Sequence, residues 1–498
     1  MSARFLAPRT RIVAAAAAVV ALAASGIVMA QRNAGPNTPN APYAATPPTG
    51  APPSPQRAPA TPAVSAPSSD PQVERGRYLA RVADCVSCHT APGGVPFAGG
   101  LSMQTPFGTV VSTNITPDPD AGIGNYTEAD FANALRKGVA KGGHHLYPAM
   151  PYTSFARTSD EDLRDMYAYF RKDVPPSANK PAPTKLPFPF SMRGLMVFWN
   201  WLYLDDAPYR PDAARSAEWN RGAYLVNGLG HCGECHTPRS LIGGLKSASE
   251  RDGDSFLSGA IVDGWYAQPL RHGLKNGAAQ WSTAELVRYL QSGRTERSGA
   301  FGPMAQVVEN STQYMTPQDL GAVAAYLQSI GAPAGYTPPA AEPAKEARDA
   351  SVAAAAPNAQ GVPNAPNAQA PVHPDHAKLR DGTVEGQRGA MIYLNNCNAC
   401  HRSSGTGWER TFPALAGNSV VNASDPSSLI RIVLGGASMP ATATAPTPLA
   451  MPAFGWRLND GDVAELLTFV RGSWGNQAAA VTSAQVAKVR KTLPEPGK

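Results

Sequence analysis

The sequence predicts a mainly α-helical chain of three small tandem domains, and three observations carry that prediction. The cluster C-x-x-C-H is written three times, at Cys85-Val86-Ser87-Cys88-His89, Cys232-Gly233-Glu234-Cys235-His236 and Cys397-Asn398-Ala399-Cys400-His401. Each copy follows a helical pattern that opens on glycine and precedes an amphipathic one, so one structural unit repeats. The stretches 31–72 and 333–378 are rich in Pro, Ala, Thr and Asn and too poor in large apolar residues to build a core, which marks them as tethers.

The clusters consume all six cysteines, two apiece. With 6 Cys and 9 His in 498 residues, one copy is expected by chance ~0.001 times per chain. Two thiols a helical turn apart reach both vinyl groups of one porphyrin, and the adjacent histidine is held beneath it as proximal iron ligand. Disulfides would leave the histidine after each pair unexplained, and zinc needs four ligands where each cluster offers three. Three covalently bound haem c groups are therefore expected, attached at Cys85 and Cys88, Cys232 and Cys235, Cys397 and Cys400, with His89, His236 and His401 on the irons. No residue pattern points to catalysis by the chain itself.

In chain order, residues 1–30 read as a secretory signal: Arg4, Arg9 and Arg11, an apolar run from Ile12 to Ala24, then Val28-Met29-Ala30 before a cleavage point at Ala30/Gln31. An uncleaved anchor is the rival reading, since Ile12–Ala30 is nearly long enough to span a bilayer. Either way the rest of the chain is expected outside the cytoplasm. The formal charge of +6 falls to +3 without the three signal arginines, and no basic cluster is interleaved with aromatics, so nucleic acid is excluded.

The units span 73–180, 215–332 and 379–475, with an aromatic connector at 181–214 and a basic tail at 476–498. Their opening helices carry Gly76/Tyr78/Leu79, Gly222/Tyr224/Leu225 and Gly389/Tyr393/Leu394. The closing helices carry apolar stripes: Leu163, Met166, Tyr167 and Phe170; Leu320, Val323, Ala324 and Leu327; Val463, Leu466, Leu467 and Val470. Ser159, Thr316 and Asn459 cap these helices, each with Asp three residues on. The opening glycine would let the two terminal helices of a unit cross closely, the arrangement of a small α-helical haem domain.

Each iron needs a sixth ligand or an open site. Met150 and Met451 each precede proline, which places a thioether on a stiff extended loop, and Met304 is the candidate in unit two. Met315 and Met439 are the rivals of Met304 and Met451, and His144 or His145 would give haem one two histidines. Met103, Met166, Met192, Met196 and Met391 read as core fillers. His231 is expected to pack or hydrogen-bond, and His272, His373 and His376 to lie at the surface. Gly228-Leu229-Gly230-His231-Cys232-Gly233 matches the dinucleotide fingerprint, but that motif needs a strand before it and a helix after it, and here it overlaps a haem cluster.

With these residues in place, the chain resembles the triheme cytochrome c subunits of bacterial membrane-bound dehydrogenases of the alcohol, gluconate, sorbitol and FAD-dependent glucose types. The likeness runs over roughly 73–475 and is carried by Cys88-His89-Thr90-Ala91-Pro92-Gly93-Gly94, Thr113-Asn114-Ile115-Thr116-Pro117-Asp118, Leu146-Tyr147-Pro148-Ala149-Met150-Pro151-Tyr152, Trp219-Asn220-Arg221-Gly222-Ala223-Tyr224-Leu225, Cys235-His236-Thr237-Pro238-Arg239, Met451-Pro452-Ala453-Phe454 and Ser473-Trp474-Gly475-Asn476. It implies three tandem cytochrome c domains and supports Met150, Met304 and Met451 as axial ligands. It also implies a relay of electrons from a flavin- or quinoprotein dehydrogenase subunit, oxidising CH–OH groups, to membrane ubiquinone. The two long tethers depart from the family pattern. A freestanding periplasmic carrier is the alternative, and a peroxidase-like enzyme would need an open iron that three methionine candidates argue against. Peripheral association at the periplasmic face of the bacterial cytoplasmic membrane is expected, through the tail Val486–Leu493 or through a partner. The connector aromatics Phe198, Trp199, Trp201 and Tyr203 either dock a partner or pack units one and two together, the second being preferred.

Overall fold

Three glycines set the architecture. Each unit opens with a helix (Pro71–Val82, Ala217–Tyr224, Arg388–Asn396) and closes with a 13-residue one (Asp160–Lys172, Pro317–Ser329, Asp460–Gly472). A Cβ on Gly76 would lie 1.9 Å from the Asp165 carbonyl oxygen, on Gly222 2.0 Å from that of Ala322, and on Gly389 2.3 Å from that of Glu465. Only a residue without a side chain lets two helix backbones meet this closely. The structure, a computed structural model, describes residues 68–274, 277–332, 374–384 and 386–493. The export signal, His373 and most of both tethers lie outside the described residues.

The closing helices start where their caps place them. The side chains of Ser159, Thr316 and Asn459 accept from the backbone N–H of Asp162, Asp319 and Asp462 at 3.1, 3.1 and 2.9 Å. Each of these aspartates then takes an arginine from the opening helix beside the crossing glycine: Arg75 on Asp162 at 2.5 Å, Arg221 on Asp319 by two bonds of 2.7 Å, Arg388 on Asp462. The apolar stripes face inward as their spacing requires, with Tyr167 half-buried at the edge. Short antiparallel hairpins follow the clusters: Ser102–Thr105 with Gly108–Val111, Ala260–Val262 with Trp265–Ala267, Ala437–Ser438 with Ala450–Met451.

Units one and two share one hydrophobic core, whereas unit three has its own. The first two are tied by an exchange. Tyr78 of unit one donates to Asp319 of unit two, and Tyr224 of unit two donates to Asp162 of unit one, both at 2.5 Å. Burial opposes ionisation of Asp319, but the Arg221 guanidinium and the Tyr78 hydroxyl hold its carboxyl below the usual range. The place two residues after the crossing glycine is Met391 in unit three, which is exposed. Tyr393 is therefore not the counterpart of Tyr78 and Tyr224; it is buried in its own core and donates to the Arg402 carbonyl. Unit three docks on unit two through a strand-to-helix contact and loops: Tyr266 N–H, in the strand Trp265–Ala267, donates to Ser428 on the helix Ser427–Gly435, Asn418 donates to the Arg297 carbonyl, and Arg294 to the Thr447 carbonyl.

Several sequence expectations change here. Met192 and Met391 are exposed, because neither falls on a stripe that another helix covers, while Met166 is fully buried. His272 is buried, its backbone N–H bonded to the Ile330 carbonyl. A helix, Pro374–Asp381, lies at the end of the stretch read as a tether. The tail forms a helix, Ser483–Arg490, whose Val486 and Val489 enter the core of unit three. Arg490 holds it there on Asp460 and on the carbonyls of Gly455 and Leu458, so the apolar side of the tail faces protein, not lipid headgroups. In the connector, Trp199 is buried and Tyr203 half-buried against the 240–244 loop, while Phe198 and Trp201 stand in solvent; interdomain packing accounts for half of that cluster.

Candidate haem sites

Four of the five residues of each C-x-x-C-H cluster lie on one short helical turn (Cys85–Cys88, Gly233–His236, Asn398–His401), with His89, Cys232 and Cys397 at the caps, which brings each pair of thiols together. None of the six cysteines is in a disulfide. Loops from the same unit then fix each histidine by one ring nitrogen. His89 Nδ1 lies 2.7 Å from the Thr113 carbonyl, His236 Nδ1 2.6 Å from that of Gln268, and His401 Nδ1 3.0 Å from that of Pro413. A carbonyl only accepts, so Nδ1 carries the proton and Nε2 keeps its lone pair. Burial holds all three imidazoles below their ordinary range despite that bond. A neutral, oriented imidazole beside two thiols is the donor set covalent haem needs, and the residues present fit the group.

These carbonyl acceptors escape sequence reasoning because a backbone oxygen has no residue signature. One trace existed: Thr113 belongs to the run Thr113–Asp118, and Asn114 anchors it. The Asn114 amide donates to the carbonyls of Ser177 and Asn179 at 2.7 and 2.9 Å, and its oxygen accepts from Thr116 N–H at 2.8 Å.

Around the third cluster an apolar cavity is lined by Cys397, Cys400, His401, Met439, Met451 and Phe454, with unit two supplying Ser298–Phe301. Both methionine candidates thus reach the same cavity. Met439 sits against unit two, since a Cβ on Gly299 would lie 2.7 Å from its terminal methyl. Met451 is half-buried and its backbone pairs with Ala437. In unit two Met315 is buried in the shared core, and Met304, half-buried, starts the helix Pro303–Asn310. In unit one Met150 packs on the core, His144 is exposed, and His145 is half-buried with its carbonyl taken by Arg193. A helix, not a strand, runs into Gly228, which removes the dinucleotide reading.

The first two clusters abut. His231 Nε2 is 3.3 Å from the Ala83 carbonyl, and the His231 ring meets Phe155 edge-on with centroids 5.5 Å apart. Asn310 donates to Ser87 at 2.9 Å, and Ser311 to the Val82 carbonyl at 3.0 Å. Between them Asp84 is buried in a left-handed conformation (φ 50°). Burial pushes its carboxyl up to about 8, and the Ser87 hydroxyl, 2.6 Å away, offsets only part of that. An unfolded Asp ionises near its ordinary value, so the folded chain binds more protons between there and about pH 8, and stability falls as pH rises through that window. Asp84→Asn, which keeps the shape and tolerates a positive φ, should raise the melting temperature of the haem-loaded protein at pH 9 and flatten its decline from pH 5 to 9. A decline as steep as the wild type's would mean that another group governs it.

The cytochrome c family model matches residues 73–172 and 386–474. The chain is 43% identical over 431 residues to the gluconate 2-dehydrogenase cytochrome c subunit of Pantoea cypripedii, covering 85% of this chain and 90% of that one. It is 42% identical over 423 residues to the cytochrome c subunit of the quinone alcohol dehydrogenase of Gluconobacter oxydans, covering 84% and 82%. The fructose dehydrogenase cytochrome subunit of Gluconobacter japonicus is 36% identical over 431 residues, covering 84% and 83%. With cysteine pairs, oriented histidines and relatedness along most of its length in agreement, the chain belongs to the cytochrome c subunits of dehydrogenases of the gluconate, alcohol and fructose type.

Proposed function

We propose that the chain holds three haem c groups in three tandem cytochrome c domains joined by Pro/Ala-rich tethers. In this reading it carries electrons from a flavin- or quinoprotein subunit, oxidising CH–OH groups of an alcohol, sugar or sugar acid, to ubiquinone at the periplasmic face of the membrane. The observation that supports it best is the repeated histidine geometry, three imidazoles each tied at Nδ1 with Nε2 left for iron. Bound haem supplies one-electron iron chemistry; the chain's residues ligate, orient and bury it. The contact of the first two clusters supports direct transfer between those sites, and the Ser298–Phe301 wall makes unit two the neighbour of the third. The donor classes are suggested by the names of the relatives, which are subunits of gluconate, alcohol and fructose dehydrogenases.

The test is to recover the tagged chain from native membranes and follow the reduced α-band while adding ethanol, gluconate, sorbitol and glucose in turn. Reduction by one of them, with a co-purifying flavin or quinone subunit, supports the reading; no reduction, with the chain recovered alone, favours a freestanding carrier.

Met150, Met304 and Met451 are proposed as the sixth ligands. Met150→Ala, Met304→Ala and Met451→Ala should each lower one haem potential, by on the order of 0.1 V or more within the ~0.8 V that axial ligands span. Each should also open one iron to carbon monoxide. If Met451→Ala left carbon monoxide binding unchanged while Met439→Ala enabled it, the third ligand would be Met439.

A further inference from the structure

The connector carries an apolar surface that the described residues leave uncovered. Its helix Met196–Tyr203 buries Trp199 and turns Val197, Phe198, Trp201 and Leu202 outward, with Phe198 68% and Trp201 51% exposed. Two protruding tips flank it, Phe188 at 79% and Leu241 at 100%. The segments that carry them adjoin. Trp199 Nε1 donates to the Ile242 carbonyl at 2.9 Å, Tyr203 and Ser240 share a hydroxyl bond of 2.8 Å, and the Phe107 and Phe190 rings lie 4.9 Å apart. The helix is pinned from beneath as well, Tyr152 donating to Asn200 at 2.7 Å, so the apolar side chains cannot fold back.

Charge decides what such a face fits. Residues 180–204 contain Lys180, Lys185 and Arg193 and no acid, and Lys246 follows Leu241; against these four stand exposed Asp205 and Asp206, while Arg239 is paired with Glu234 at 2.6 Å, so the basic side chains are in excess. A protein interface carries a hydrogen bond about every 100–200 Å², whereas the side chains at the centre of this face are almost all hydrocarbon. Bulky aromatics and leucines at the crest with lysine and arginine at the rim are the composition of a segment that lies in the headgroup boundary of a bilayer. The tail's apolar side is already spent on unit three, and no described helix is long and apolar enough to cross a membrane.

We propose that this face, Phe188, Phe198, Trp201, Leu202 and Leu241 with their basic rim, is where the chain sits on an anionic bilayer. Tyr147 donates to the Phe190 carbonyl at 2.9 Å and Arg193 to that of His145 at 2.7 Å. Docking there brings the Met150 loop down to the lipid, on the side from which a membrane-dissolved quinone arrives. The proposal deepens the functional reading above and rests on it for that last step.

The experiment is flotation of the haem-loaded full chain with vesicles of phosphatidylcholine alone or mixed with phosphatidylglycerol. Wild type should float with the mixed vesicles, and the triple variant Phe198→Ser, Trp201→Ser, Leu241→Ser should lose at least ~10-fold in partitioning with haem content unchanged. Lys180→Gln with Lys185→Gln should abolish only the advantage of the anionic vesicles, and Lys488→Gln with Lys491→Gln in the tail should change nothing. Unchanged partitioning of the triple variant overturns the proposal. So does a triple variant that still floats but no longer retains the catalytic subunit, which would make the face a protein interface. Donor-driven haem reduction in detergent separates this outcome from failure of the electron-transfer reading: it should persist in the triple variant if only the lipid contact is lost.

Discussion

Gly222→Ala should destabilise the protein by at least ~3 kcal/mol, and Gly321→Ala, on the closing helix it crosses, should stabilise it. Helix propensity alone predicts a gain of about 1 kcal/mol at both positions. At Gly222 the added methyl would meet the Ala322 carbonyl oxygen at 2.0 Å and Tyr326 Cβ at 2.7 Å. Neither is the free end of a flexible side chain, so the helices must part and the shared core of units one and two opens with them. At Gly321 the nearest atom is a Glu218 carboxylate oxygen at 3.7 Å, and only the propensity term acts. The check is the melting temperature of each haem-loaded variant, followed by its Soret band. A Gly222→Ala protein that melts with or above wild type would show that the crossing does not depend on that glycine.

The second large effect is at Arg471, 1% exposed. Its guanidinium donates to the carbonyls of Ala479, Val421 and Ala423 at 2.7, 2.8 and 3.0 Å. Burial lowers its pKa, and Asp425 offsets this only by its field. Arg471→Met removes the buried charge but strands three carbonyls, and each stranded acceptor costs ~1–3 kcal/mol. Unit three should lose about 4 kcal/mol, read as a lower urea midpoint for unfolding of unit three with units one and two unaffected. Arg471→Lys should not rescue it, because one ammonium cannot span three acceptors held by a planar fork.

The helices, their caps and the crossing glycines were legible because each follows from local chemistry: a stripe period, a capping side chain three residues from an aspartate, a glycine in a helical run. The haem clusters were legible because thiols and imidazole at fixed spacing have few other uses. What the sequence concealed depended on partners far away in the chain. Nothing near Tyr78 announces Asp319, 241 residues on, and the repeat of aromatic and leucine wrongly equated Tyr393 with it. His272 looked superficial because its burial is set by the carbonyl of Ile330. The tail's valines suggested a lipid surface because an amphipathic helix looks the same whether protein or membrane covers it.

The exchanged tyrosines also bear on how the molecule comes apart. Each aspartate that seals one unit's helix crossing is completed by a hydroxyl from the other, so neither crossing can loosen without withdrawing a donor from its neighbour. Units one and two should therefore melt as a single cooperative body, seen as one transition in calorimetry. The spacing between their two attachment turns is a property of that body as a whole, held constant until it unfolds, whereas unit three, sealed by its own Arg388 and Asp462, unfolds on a separate account of its stability.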